Sequence, residues 1–227
     1  MSDQQAPPAP DVATLVIGIL GGTGEEGRGL AHRFARAGNP VIIGSRSAER
    51  AAAAVQALGP DLGIRGMVNA DAAAAADVVI VAVPWDGHGD LLKTLAGTLA
   101  GKVVIDCVNP LGFDQHGAYP LAVAEGSAAQ QAAVVLPDSV VVGAFHHVSS
   151  VLLLDPAVDR LDLDVLVLGD DRQATDLVQA LAARIPGTRG VYAGRLRNCG
   201  QVEALTANLV SVNRRYKAHA GLRVTDV

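Results

Sequence analysis

Residues 15–27 read LVIGILGGTGEEG, and this stretch decides the fold. Residues 15–20 form a short apolar run, partly β-branched, of the length a buried parallel strand needs. The run leads straight into Gly22-Thr23-Gly24-Glu25-Glu26-Gly27, a G-x-G-x-x-G, and residues 28–37 then carry a helical pattern. Each glycine has a mechanical reason. Gly22 makes the tight turn, Gly24 lets the backbone close on a pyrophosphate, and Gly27 lets the helix pack on the strand. The helix then aims unpaired N–H groups and its positive dipole end at the phosphates.

Outward from this unit, strands and helices alternate. Strands are expected at 40–44, 78–83, 102–106, 140–144 and 164–168. Helices are expected at 47–58, closed by Gly59-Pro60, and at 71–76, 89–99, 120–136 and 173–184. Buried strands alternating with amphipathic helices predict a doubly wound α/β sheet. Near the C-terminus, Val202, Leu205, Leu209, Val212 and Tyr216 recur at steps of three and four, which predicts one helix of about five turns.

Composition narrows the function. The 227 residues are 50% apolar but only 3% aromatic, so the core is built from Ala, Val, Leu and Ile. The net charge of -5 argues against general nucleic-acid binding. It is unevenly spread: residues 195–227 hold six basic and two acidic residues (net +4), and the rest holds 12 basic and 21 acidic (net -9). A basic C-terminal segment fits an anionic ligand, a partner subunit or a merely solvated face. Cys107 and Cys199 match no metal or redox spacing and read as free thiols in a reducing cytoplasm. Residues 1–13 are polar and proline-rich, read as a loose tail, and lack the pattern of a signal peptide. The longest apolar stretch, 72–85, is interrupted by Asp77 and too short to span a bilayer, so no membrane role is expected.

The end of the second strand normally separates NAD from NADP, because an acid there binds the ribose 2′-hydroxyl and repels a 2′-phosphate. Here it reads Gly44-Ser45-Arg46, with Arg50 one turn further on. Three donors and no acid predict NADP(H). Trp85, the only tryptophan, follows a strand end and either lines the nucleotide cleft or seals the sheet. Residues 108–111 are expected to form a further wall.

The usual proton-transfer groups are missing. Tyr119, Tyr192 and Tyr216 have no lysine four residues on, and Lys93, Lys102 and Lys217 occupy no relay setting. His32, His88, His116 and His219 make no metal-binding spacing, and no metal is expected. His146-His147 follows a strand end near where a nicotinamide would finish; it reads either as a ring-positioning group or as a hydrogen-bonded structural pair. A dinucleotide fold without an acid–base pair suggests hydride transfer between two cofactors, which needs stacking at near-attack distance more than proton shuttling.

The chain resembles the F420-dependent NADP reductases over nearly all of its length after the tail. The resemblance rests on Gly21-Gly-Thr-Gly24 with Gly27, Gly44-Ser-Arg46 with Arg50, Pro84-Trp85, Ala144-Phe-His146, Gly169-Asp-Asp171, Ala193-Gly194, Asn198, Val202-Glu203 and Leu205-Thr206. Residues 212–221 look like the bacterial branch of that family. The resemblance implies direct hydride transfer between C5 of the deazaflavin F420 and C4 of the NADP nicotinamide. It implies a Rossmann-like NADP-binding domain, placed here at 14–192, a small helical C-terminal domain at 193–227 that docks the deazaflavin or a partner, and a homodimer. It assigns Gly22, Thr23, Gly24, Glu25, Glu26 and Gly27 to the pyrophosphate loop and Ser45, Arg46 and Arg50 to the 2′-phosphate. Trp85, Gly89, Leu111 and Ser150 fall where the family lines the rest of the NADP cleft. His146, Asn198 and Thr206 fall where F420 docks. Archaeal relatives carry an Arg and a Ser at the positions of Gly200 and Ala204, and Arg195 and Arg197 are expected to compensate by holding the anionic F420 tail. No residue is expected to be an obligatory general acid. The alternatives are an NADPH-dependent imine or ketone reductase, which needs a proton donor in the cleft, and a non-catalytic NADP sensor.

Overall fold

The structure, a computed structural model, describes residues 10–227. The chain runs β1 (Ile17–Leu20), α1 (Glu25–Arg36), β2 (Val41–Ser45), α2 (Ala48–Leu58), β3 (Arg65–Val68), α3 (Asn69–Ala75), β4 (Val78–Val81), α4 (His88–Leu99) and β5 (Val103–Asp106). It continues with β6 (Leu111–Asp114), β7 (Gly117–Pro120), α5 (Ala128–Val135), β8 (Val140–Gly143), α6 (Ser150–Leu154), β9 (Leu163–Gly169), α7 (Arg172–Ala182), β10 (Thr188–Gly194) and α8 (Cys199–Tyr216). Eight strands form one sheet in the order β3-β2-β1-β4-β5-β8-β9-β10. Every neighbouring pair is parallel except β8 and β9. The chain returns across β1 to reach β4, so the switch point lies between those strands, where α/β sheets bind ligands.

The strand sequences are apolar throughout because both faces of the sheet are covered. Along β4, Val78 and Ile80 enter one core and Val79 and Val81 the other. With few aromatics available, one edge-to-face pair, Phe34 on Phe145 at 6.0 Å, provides the largest side chains of the first core.

Several elements escape the sequence pattern. Edge strand β3 reads RGMV and is half exposed, so it has no apolar run to signal it. The helix expected over 120–136 begins only at Ala128, where Ser127 accepts from Gln130 N and caps it. The residues before it instead form the antiparallel hairpin β6–β7, in which Leu111 pairs with Pro120. Five-residue α6 is too short for a period to show, and β10, TRGVYAG, is only partly buried. Strand β10 also runs two residues past the domain boundary expected at 192. Of the tail expected over 1–13, residues 1–9 lie outside the described residues. Val12 is not loose: it is buried, and Asn39 Nδ2 donates to its carbonyl at 2.7 Å.

Helix α8 spans 18 residues, the five turns expected, and packs on α5 and the hairpin. Its apolar stripe is covered at Val202 and open at Val212 and Tyr216, the latter 73% exposed. The chain then folds back. Asp164 N donates to Leu222 O, and the buried Asp164 carboxylate accepts from Val224 N, Arg189 and Arg223. None of the described helices is long and apolar enough to cross a membrane.

Candidate coenzyme cleft

The glycine loop is held by its own backbone. Gly22 N donates to Gly44 O at 3.0 Å, and Gly24 N to Gly21 O at 3.2 Å. A Cβ on Gly27 would stand 2.6 Å from Gly22 Cα, so α1 can approach β1 this closely only with glycine there. A Cβ on Gly24 would meet nothing nearer than Gly21 O at 3.8 Å; the space over its backbone is left for a ligand. Gly24 is also the N-cap of α1 and offers no side-chain cap, so the first N–H groups of the helix keep their donors.

Two compartments meet at Gly24, Ala82, Val83 and Pro84. The smaller, about 350 Å³, holds Thr23, Ser45, Arg46 and Arg50. Ser47, not Ser45, caps α2 by accepting from Arg50 N, so the Ser45 hydroxyl stays free for the cleft. Arg46 and Arg50 are exposed and make no ion pair among the described residues. One acid, Asp86, stands in the same wall.

The larger compartment, about 550 Å³, is lined by Glu25, Glu26, Trp85, Cys107, Asn109, His146, Ser150, Thr206 and His219, among others. Trp85 therefore lines the cleft, and its ring lies 5.6 Å from that of His88, which supports it from behind. His88 is fully buried, as is Asp106, and the two meet at 2.7 Å (Nε2 to Oδ2), with Nδ1 of His88 against Gln131. Burial disfavours the charged ring, but the hydrogen bond and charge of Asp106 outweigh it and hold the His88 pKa above its ordinary value. Neither residue was legible as a pair in the sequence, because nothing local links them.

His146 and His147 separate into two roles. The turn that carries them is strained: Phe145, 1% exposed, takes a φ of 65° after β8. His147 Nε2 bonds to Asp164 O at 3.0 Å, which ties it to β9, while its Nδ1 is unpartnered and the residue also lines the larger compartment. His146 instead faces the cleft with neither ring nitrogen partnered by protein. Burial lowers its pKa to about 4, so the ring is a neutral imidazole at physiological pH. Its backbone is fixed: Asn109 Nδ2 donates to His146 O at 2.7 Å, and Thr206 Oγ1 reaches the same oxygen at 3.3 Å.

Outside the glycine loop, five residues expected at the site do not line either compartment. Gly89 faces α5, where a Cβ would meet Gln131 Oε1 at 2.9 Å. Leu111 belongs to the hairpin. Asn198 turns toward Gly194. Arg195 reaches Asp170 at 3.5 Å and lines a separate pocket with Arg172 and Tyr192. Arg197 is exposed at the base of α8, two turns of helix before Thr206. For Arg195 the physical reason is register: Gly169 pairs with Val142, so Asp170, which Arg195 reaches, continues away from the end of β8 that carries His146.

Glu203 was also missed as a feature. Its buried carboxyl accepts from Ala128 N and Ala129 N and caps α5 from α8; burial raises its pKa to about 7. Next to it, a Cβ on Gly200 would stand 2.6 Å from Gly126 O, so this chain has no room for a larger side chain there.

Residues 16–110 match the family described as NADP oxidoreductase, coenzyme F420-dependent. The F420-dependent NADP reductase of Methanothermobacter marburgensis is 38% identical over 223 residues, covering 94% of this chain and 99% of that protein. The chain belongs to the F420-dependent NADP reductase family. The reductase of the same name from Methanocaldococcus jannaschii is 37% identical over 223 residues, with 94% of this chain and 99% of that one covered. Among solved structures, a candidate F420-dependent NADP-reductase from Arthrobacter sp. FB24 superposes with a TM-score of 0.80 at 25% identity, covering 93% and 99% of the two chains.

Proposed function

We infer that the protein passes a hydride between C5 of coenzyme F420 and C4 of the nicotinamide of NADP. The observation that carries this is the continuity of the cleft. It runs from an anion site built of Ser45, Arg46 and Arg50, past the bare backbone of Gly24, to a compartment with unpartnered ring nitrogens at His146.

Both groups fit the residues present. Ser45, Arg46 and Arg50 would hold the 2′-phosphate, and the loop from Thr23 to Gly27 with the first turn of α1 the pyrophosphate. Trp85 and Ser150 would flank the nicotinamide half. When bound, the coenzyme pair supplies the redox chemistry, a hydride moving directly from carbon to carbon. The protein's part is orientation and exclusion of water. His146 would offer a ring nitrogen to the deazaflavin, from a backbone that Asn109 and Thr206 hold at its carbonyl. Being neutral, it positions a ring and does not itself act as a general acid.

The finer readings follow from the surface. Phe113, Tyr119 and Leu121 of the hairpin, with Val212 and Tyr216 of α8, form an exposed apolar face that suits a second copy of the chain. Both cysteines are buried free thiols, in keeping with a cytoplasmic protein.

The reaction is tested by mixing purified protein, NADPH and oxidised F420 and following the deazaflavin absorbance. Rapid bleaching with NADPH and little with NADH is the expected result. No bleaching with tightly bound NADPH would remove the deazaflavin and leave the imine reductase and the sensor, which a substrate screen separates.

A further inference from the structure

Glu26 stands in the first turn of α1 and lines the larger compartment, not the one that holds Arg46 and Arg50. Its Oε1 is sealed from solvent and meets no hydrogen-bond donor among the described residues. A helix N-terminus alone would be unremarkable; a half-buried acid with one sealed, unsatisfied oxygen in the wall of a ligand cleft is not. The titratable and charged groups around it are Glu25 and Arg28 on its own helix, Asp106 and Cys107 at the end of β5, His146 and His147 after β8, and His219 in the C-terminal segment. None is bonded to Oε1. His146 and His147 are held neutral, mainly by burial. Burial, followed by the charges of Glu26 and Asp106, pushes the Cys107 thiol well up, so it too is neutral. Burial thus acts on Glu26 unopposed and raises its pKa to about 8.

The reading of the cleft as an NADP site, on which this inference rests, makes that acid informative. NADP+ and NADPH carry the same phosphates, and their nicotinamides differ by one positive charge. The pyrophosphate beside the loop acts alike in both forms, so what differs is the ring: in a compartment poor in water, a carboxylate is favoured more beside the positive ring of NADP+ than beside the neutral reduced ring. We propose that Glu26 couples a proton to the redox state of the bound coenzyme, remaining a neutral acid beside NADPH and ionising beside NADP+. Binding NADP+ releases the Glu26 proton to solvent; binding NADPH releases none. The only bond broken is the carboxyl O–H.

Linkage fixes the direction. The Glu26 pKa falls below its free-protein value in the NADP+ complex and stays at or above it in the NADPH complex. Raising the pH therefore tightens NADP+ relative to NADPH. Between the two pKa values, the ratio of the Kd for NADPH to that for NADP+ rises about tenfold per pH unit. Because both forms carry every other ionising group in common, the ratio cancels titration of the 2′-phosphate.

The test is equilibrium titration of each coenzyme form, without F420, from about pH 6.5 to about 9.5, on the wild-type chain, E26Q and E26L. The wild-type ratio should rise at least about tenfold across that range, and both variants should give a flat ratio. Calorimetry of the wild type at about pH 8, in two buffers of different ionisation enthalpy, should show proton release with NADP+ and none with NADPH; it needs no variant to fold. A flat wild-type ratio, equal proton exchange for both forms, or a slope that survives in E26Q and E26L would overturn the proposal. A wild-type chain that binds neither form at any pH would instead overturn the NADP reading, and the proposal with it.

Discussion

Ser45, Arg46 and Arg50 show how a few residues define a specificity. The first ends a buried strand, and the other two reach out from an exposed turn and helix start. Among the described residues no acid pairs with either guanidinium group, so their positive field is left for a ligand. Charge-assisted hydrogen bonds contribute about 1.5–3 kcal/mol each. Replacing both arginines by alanine should weaken NADPH binding by a hundredfold or more, on the order of two such bonds, and leave NADH binding nearly unchanged. Coenzyme titration of R46A/R50A checks this; equal losses for NADPH and NADH would mean that the arginines do not read the 2′-phosphate. These residues were legible because local chemistry announces them. His88 with Asp106, and Glu203 with the start of α5, were not: the partners lie 18 and 75 residues apart, and only the fold brings them together. Arg195 and Arg197 show the converse. Their charge was legible, but their direction depends on the register of β9 against β8.

At the level of elements, the alternation of buried strands and helices was legible because a parallel sheet covered on both faces needs continuous apolar strands. The hairpin β6–β7, edge strand β3 and short α6 carry no such demand and left no pattern. Two of the tethers that hold the cleft walls also come from outside any pattern. Arg33, buried in α1, donates from Nε to Leu153 O at 2.8 Å and to further carbonyls of α6 and the segment after it, which fixes the wall that carries Ser150. Asp164, at the start of β9, ties down the segment after α8 that brings His219 and Ala220 to the cleft. Hydrogen bonds from Arg189, with help from Val224 N and Arg223 and against the cost of burial, hold the Asp164 pKa far below the usual carboxylate range. A lowered pKa contributes stability that is fully present above the unfolded value of about 4 and lost as pH falls toward the folded one. Amide protection over residues 217–227 should therefore decline in acid below about pH 4. D164N should produce the same loosening at neutral pH, at a cost of about 1–3 kcal/mol, since both arginines are half exposed. Hydrogen exchange that is unchanged in D164N would show that the segment is held by other contacts.

For the whole molecule, the sheet edge supplies a cleft and the C-terminal helix closes one side of it, while the far end of that helix leaves Val212 and Tyr216 exposed beside Arg214 and Arg215. Tyr216, 73% exposed, and Phe113, 70% exposed, are the largest elements of that face. If a second copy covers them, F113E/Y216E should halve the mass seen by light scattering and leave Tm within a few degrees, because neither side chain belongs to the monomer core. A wild-type chain that is already monomeric at high concentration would remove the dimer from the account. The central claim is that one cleft holds two ring systems in contact. It is tested most directly by NADPH carrying deuterium at C4 of the nicotinamide, reacted with oxidised F420 in ordinary water. The account predicts that, from one of the two C4 faces, the deuterium appears at C5 of the reduced deazaflavin without dilution by solvent. Reduced F420 free of deuterium from either face would mean that the hydrogen passes through an exchanging group on the protein, and direct transfer would be wrong.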